Sequence, residues 1–377
     1  MTVIVNCTVF TKTGIETGLS VLIKEGKIFK IGTEASFGNA IPAGASRIDA
    51  GGSYLSAGLI DLQIYGSGGD LFSAYPSAGT LRQMDDDLLR KGTTGFLACV
   101  ATNAPEVVEQ AIKAAKEYRN EAKGFLGLHL EGPYINAKRK GAHIEQYIYK
   151  PSLDDVKRLF DLADGVVKMM TVAAELQDDA VLNFLSDQQV VLSLGHSDAD
   201  FKQANAAFDK GFKTVTHLFN AMPSIHHRAP NLPAAVLNHN RVMASIIADG
   251  VHVDFEMIRM CYKLMKERLF LITDAVTPCN IGPYQHQLSG DKFVTPDGIL
   301  SGSAITMLDA IRNVVKYSGI PLIEALKMAS EYPARLIDER AEIGSLLPGS
   351  RANLILLSKD LQLEKVFING VEHQHLG

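Results

Sequence analysis

Glu131, His196, His217 and Asp274 each stand just past the end of a short apolar run: GLHL, LSLG, TVT and LFLIT respectively. Two neutral imidazoles and a carboxylate are a common donor set for a catalytic divalent cation, with a remaining position left to water. Glu131 and Asp274 together would balance the charge of such an ion. A bound divalent cation lowers the pKa of its water from 15.7 to ~7, giving a nucleophile at neutral pH. A carboxylate within reach then serves as general base and afterwards as general acid. Taken singly, each residue has a plainer reading, because a lone histidine at a strand end is usually a hydrogen-bonded loop residue and Glu131 before Gly132-Pro133 could serve a turn. Their joint placement favours the chemistry.

These side chains meet only if the runs before them are strands of one sheet. GFLGLHL (124–130), VVKMMTVA (166–173), VVLSLGH (190–196), FKTVTHLF (212–219), VMASIIAD (242–249) and LFLITDA (269–275) are short, apolar and often β-branched. That composition suits strands buried on both faces. Between several of them lie helical patterns: APEVVEQAIKAAKEY with Pro105 near its start, DFKQANAAFDKG ending on Gly211, and DFEMIRMCYKLMKERL with Asp254 as cap. Repeated βα units predict a parallel sheet closed into a (β/α)8 barrel, whose active site lies at the C-terminal ends of the strands. A doubly wound open sheet is the runner-up, but no G-x-G-x-x-G follows the first strand.

The two ends of the chain have another rhythm. LSVLIKEGKIFKIG places Glu25-Gly26 between two strand-like segments, and KVFINGVEH places Asn369-Gly370 the same way. Each piece alone is too small to bury a stable sheet face. Residues 1–55 and 343–377 are therefore expected to pair into one β-sandwich, leaving 56–342 as the barrel, an α/β fold overall.

At 377 residues, with 46% hydrophobic and 21% charged residues, the chain can bury a large core. A net charge of −5 with scattered Lys and Arg gives no nucleic-acid footprint. No run approaches the ~18 apolar residues of a membrane span, and the N-terminus lacks the basic and apolar regions of a secretion signal, so a soluble cytoplasmic protein is the expectation. Cys7, Cys99, Cys261 and Cys279 form no C-x-x-C pair and read as reduced thiols. His226, His227 and Arg228 form the densest cationic-capable cluster, and the arginine fork suits a phosphate, though a solvated loop is the plainer reading. His239, His286, His373 and His375 have no partner spacing, and His129 is expected to point away from the site by strand alternation. Met169, Met170 and Phe219 read as core or supporting residues.

HLEGPYINAKRKGAH (129–143), LGHSDAD (194–200), THLFNAMPSIHHRAP (216–230), IIADGVHVD (246–254), LITDA (271–275) and LSGSAITM (300–307) resemble the successive signatures of the N-acetylglucosamine-6-phosphate deacetylase family of the amidohydrolase superfamily. The resemblance covers almost the whole chain, including the split β module. It implies Glu131, His196 and His217 as metal ligands and Asp274 as catalytic acid/base. His143 matches the residue that contacts the acetyl carbonyl and the developing oxyanion. Asn220, Ala221 and His252 match substrate-binding positions, with His227 a weaker candidate. Arg228 matches a phosphate-binding arginine that the family supplies from the neighbouring subunit, which implies a homodimer. The cofactor implied is a divalent ion, zinc or iron foremost.

Two departures stand out. Many amidohydrolases carry H-x-H at the end of the first barrel strand, binding a second metal. Here Gln63 and Tyr65 hold those places, and neither is a good transition-metal ligand, so one ion per subunit is expected. Ala229 and Asn231 replace the family's usual Glu and Gly, which puts the phosphate loop in question. The implied reaction is hydrolysis of N-acetyl-D-glucosamine 6-phosphate to D-glucosamine 6-phosphate and acetate. The galactosamine epimer is the close alternative, and a non-catalytic amino-sugar-phosphate sensor is the rival of another class, which would have no need for an acid/base such as Asp274.

Overall fold

The computed structural model describes residues 1–11, 14–339 and 341–373; His375 lies outside them. Eight parallel strands form the central sheet: β1 (Leu59–Ile64), β2 (Thr93–Ala101), β3 (Phe125–Glu131), β4 (Val167–Val172), β5 (Val191–Leu194), β6 (Thr214–Val215), β7 (Met243–Ile247) and β8 (Leu269–Ile272). Each pairs with its successor in chain order. The seam between β8 and β1 is closed by backbone bonds, Asp274 N–H to Gln63 O at 2.9 Å and Tyr65 N–H to Ala275 O at 2.9 Å. Asp61 adds side-chain bonds across the same seam, accepting from Thr273 N and Oγ1. The result is the expected barrel. Its strands are buried along almost their whole length because helices cover the outside, and this is why they read as continuous apolar runs.

A helix follows each strand: α1 (Ala78–Arg90), α2 (Pro105–Tyr118), α3 (Leu153–Ala163), α4 (Asp179–Asp187), α5 (Phe201–Asp209), α6 (Asn231–Asn238), α7 (Phe255–Met265) and α8 (Met307–Lys316). Local sequence sets their starts. Pro105 occupies the first turn of α2, Asp254 accepts from Glu256 N–H ahead of α7, and Asp200 caps α5 in a reciprocal box with Gln203. Met169 and Met170 are fully buried in the main core.

The two ends of the chain share one eight-stranded sheet. The strand Thr2–Thr11 pairs with Gly14–Lys24 and with Tyr54–Ala57, which in turn pairs antiparallel with Leu354–Leu357. Ala352 N–H donates to Gly26 O at 2.7 Å and Lys27 bridges Arg351, so the edge strand Lys27–Gly32 closes back onto the segment ahead of Leu354–Leu357. Ile4, Cys7, Leu55, Leu356 and Phe367 fill the space inside. Both expected hairpin turns are present, with positive φ at Glu25-Gly26 and at Asn369-Gly370. Tyr54–Ala57 runs directly into β1, so this sheet is tied to the barrel strand that carries Gln63.

Candidate active site and metal centre

Directly beneath the barrel mouth the interior is polar. His129 lies 2.8 Å from Thr171 Oγ1, which lies 2.7 Å from Thr216 Oγ1, and Ser193 Oγ reaches the same Thr216 hydroxyl at 2.5 Å. His129 therefore points inward on the same face as Glu131, one layer deeper, because residues two apart on a strand share a face. This corrects the expectation that it points away. It still takes no place in the cavity: its other nitrogen is on Leu62 O at 3.1 Å, and burial pushes the imidazole down to about 4.

Above that layer, Glu131 is the hub. Its Oε1 lies 3.0 Å from His217 Nε2 and 3.3 Å from His196 Nε2, and those two nitrogens are 3.0 Å apart. Its Oε2 lies 3.0 Å from His143 Nε2 and accepts from the Tyr65 hydroxyl. His196 Nδ1 is held by Arg139 O at 2.8 Å, which leaves Nε2 with its lone pair for a ligand. Among the described residues, His217 Nδ1 is buried with no hydrogen-bond partner. Donor atoms of Glu131, His143 and His196 also lie within 4.8 Å of one another. His217 Nε2 touches both Glu131 Oε1 and His196 Nε2, while His143 holds the opposite carboxylate oxygen. Burial alone would raise the Glu131 carboxyl, but the neighbouring histidines outweigh it and hold Glu131 well below the usual range.

Asp274 is joined to this hub through Gln63, whose Nε2 donates to Asp274 Oδ1 at 2.6 Å and to Glu131 Oε1 at 3.0 Å. Burial, then the charges of Glu131 and Asp61, push the Asp274 carboxyl well above the ordinary range, so it binds a proton readily. Gln63 and Tyr65 thus engage both carboxylates themselves, from the positions where H-x-H would hold a second ion.

The backbone is bent to bring these groups together. His196, His217 and Asp274 all have left-handed φ, at 45°, 32° and 55°. Such strain in non-glycine residues gathers at functional sites. Glycines make room beside Glu131 and His196: a Cβ on Gly195 would meet Thr216 Cβ at 2.7 Å, and one on Gly132 would run into Thr102 Oγ1.

The cluster floors a cavity of about 190 Å³. Asn220, Ala221 and His252 line it, and Ala221 also has a positive φ of 51°. His252 Nδ1 is fixed by Asp249 Oδ2 at 2.6 Å, leaving Nε2 for a ligand. His227 and Arg228 do not line it. They sit on an exposed turn, with Arg228 Nη1 2.6 Å from His227 Nε2 and the His226 ring 4.2 Å from that of His227. The turn closes through two backbone bonds between His226 and Ala229. Asn231 takes φ 59°, a left-handed conformation that glycine adopts freely.

Several wall residues escaped the sequence reading. His286, set aside for want of partner spacing, is buried in the cavity wall with Nδ1 3.0 Å from Ser301 Oγ, and burial pushes it down to about 4. Tyr284 lines the same wall and donates to Thr102 O at 2.5 Å. Thr102 also lies 2.8 Å from His143 Nδ1. Its only signal was its place after GFLACVA, an apolar run ending at a strand terminus like the others.

The amidohydrolase family model matches residues 54–372. The chain belongs to the amidohydrolase family. Other relatives of this amidohydrolase are more specific. It is 34% identical to the N-acetylglucosamine-6-phosphate deacetylase of Haemophilus influenzae, across 97% of this chain and 98% of the relative. It is 30% identical to the N-acetylgalactosamine-6-phosphate deacetylase of Escherichia coli O157:H7, across 88% and 90%. The crystal structure of N-acetylglucosamine-6-phosphate deacetylase from Pasteurella multocida superposes with a TM-score of 0.93 at 34% identity, covering 99% of this chain and all of that one. Amidohydrolases are metal-dependent, and the Glu131 cluster offers a group that can hold the ion. Among the described residues no helix is long and apolar enough to cross a membrane.

Proposed function

We propose that this amidohydrolase converts N-acetyl-D-glucosamine 6-phosphate and water to D-glucosamine 6-phosphate and acetate, using one divalent ion per subunit, zinc or iron, held by Glu131, His196 and His217. The reading rests above all on one observation: Glu131, His196, His217 and the carboxyl of Asp274 converge from the ends of four barrel strands, with the Gln63 amide bridging Glu131 and Asp274. A bound ion supplies Lewis acidity toward the amide carbonyl and acidifies water to near neutrality.

The chain's own groups do the rest. Asp274 accepts the proton of the attacking water and delivers it to the sugar nitrogen, which leaves only once protonated. Thr102 Oγ1, 2.8 Å from His143 Nδ1, positions the ring, and His143 stabilises charge growing on the carbonyl oxygen through an Nε2 proton. Burial pushes His143 down to about 4, so it acts as a neutral donor. Asn220, Ala221 and His252 hold the sugar phosphate. Among the described residues no Lys or Arg lines the cavity, so the phosphate charge is met from outside, by Arg228 with His227 of a second copy in a homodimer. A phosphorylated sugar as substrate puts the enzyme in the cytoplasm.

The test is acetate release by the purified protein with added Zn²⁺ or Fe²⁺, on the gluco and galacto substrates side by side. Turnover with a higher kcat/KM on the gluco sugar supports the reading. Preference for the galacto sugar moves the specificity to the epimer, and binding without turnover moves the protein to the sensor class.

A further inference from the structure

Between Glu131 and the seam of the barrel, the cavity wall changes character. Tyr65, Leu71, Ala101, Val276 and Tyr284 line it there, and all five are at most 8% exposed. They pack as one apolar cluster of their own, apart from the main core and backed by the fully buried Cys99 and by Phe293. The two tyrosines bring hydroxyls to this wall, but both are committed elsewhere: Tyr65 donates to Glu131 Oε2, and Tyr284 donates to Thr102 O. What the two rings add to this wall is carbon.

The opposite side of the cavity carries Asn220, Ala221 and His252, two of which offer polar side chains. A substrate whose scissile amide sits over Glu131 and Asp274 has a sugar phosphate on one side of that amide and an acyl chain on the other. Polar groups on one wall and an apolar cluster on the other fix which way round it lies. Past Tyr284, His143 and His286 the molecule opens again, into a hollow of about 650 Å³ bordered by residues 140–146, 283–286 and 295–297 and by Ile299.

We propose that Tyr65, Leu71, Ala101, Val276 and Tyr284 form an acyl pocket that selects the length of the amide's acyl group, with Tyr284 as the partition between this pocket and the outer hollow. The assignment rests on the deacetylase reading. The pocket holds the acetyl methyl by apolar contact and stops longer chains at Tyr284 and Leu71. A single methylene changes transition-state binding in such pockets by roughly 10- to 200-fold, enough to rank formyl, acetyl and longer acyl chains.

The experiment measures kcat/KM of the metal-loaded enzyme on a series of N-acyl-glucosamine 6-phosphates, formyl, acetyl, propanoyl and butanoyl, for the wild type, Ala101→Val, Leu71→Ala and Tyr284→Leu. Ala101→Val narrows the pocket and is expected to lower acetyl relative to formyl by about 10-fold or more. Leu71→Ala and Tyr284→Leu widen it and are expected to raise butanoyl relative to acetyl by a similar factor. Ratios between substrates within one variant cancel losses of folded protein, and each variant's melting temperature is recorded beside them. A chain-length profile unchanged in all three variants, while the wild type turns over acetyl, overturns the acyl pocket and leaves the deacetylase reading standing. A wild type inactive on the whole series overturns the deacetylase reading itself.

Discussion

His196 and His217 are buried and held on Glu131 at 3.3 and 3.0 Å, whereas His226 and His227 lie on an exposed turn, their rings 4.2 Å apart, beside Arg228. The residue type is the same and the surroundings are not. In the cluster, strand ends from around the barrel fix each imidazole within one chain. On the turn, local backbone bonds fix the loop, and its cationic groups do not line the cavity above Glu131. The buried cluster is thus assembled within one chain, and under the proposed function the cationic turn serves the site of a second copy.

The comparison breaks most sharply at Asp274. Asp274→Asn keeps the shape but removes the proton carrier, and kcat is expected to fall by about 10³-fold or more with substrate binding retained, read by calorimetry beside the assay. Turnover near the wild-type rate would remove Asp274 from the mechanism. Next comes Arg228→Ala, expected to raise KM for the 6-phosphate by about 10- to 100-fold with little change in kcat, as the loss of a charge-assisted phosphate contact. Mixing it with Asp274→Asn sharpens the point. If arginine acts across an interface, hybrid dimers regain one intact site, and no recovery on mixing would place Arg228 with its own chain's cavity or outside the site altogether.

Smaller effects follow from burial alone. His129 has its folded pKa pushed from 6.5 down to about 4. An imidazole depressed in this way contributes stability that is complete above its unfolded pKa and is lost as pH falls from there toward the folded one. Folding should therefore weaken by about 2 kcal/mol between pH 7.5 and pH 5 from this group. His286, also pushed down to about 4, adds in the same direction. Urea midpoints at the two pH values check it, and equal midpoints would contradict neutral buried histidines. His227→Ala is expected to change kcat/KM by less than about 3-fold, as befits an exposed contact.

Much of the barrel could be read from the chain because its strands are buried on both faces and leave apolar runs, and because Pro105 and Asp254 mark helix starts and Gly211 a helix end. Glu131, His196, His217 and Asp274 stood out for ending such runs. Other features left no comparable trace. The left-handed φ at His196, His217 and Asp274 is imposed by tertiary packing, and no residue type there announces it. His286 and Tyr284 arrive from an excursion after β8 whose short strands, such as Gln287–Ser289, are partly exposed and polar, so nothing in their spacing says that they turn inward. His129 was misjudged through the geometry of alternation rather than through any missing signal. Gln63 was legible as the absence of a ligand, but its role as the amide joining Glu131 to Asp274 needed coordinates.

Under the proposed function, Glu131, His196 and His217 hold one ion and Asp274 moves the proton. Metal-free protein titrated with Zn²⁺ or Fe²⁺, with bound metal and acetate release followed together in the wild type and in Asp274→Asn, tests it most directly. Both proteins should bind one equivalent per subunit, and the wild type alone should reach full turnover at that equivalent. Full activity only at two equivalents, or loss of metal binding together with turnover in Asp274→Asn, would contradict the division into three ligands and one proton carrier.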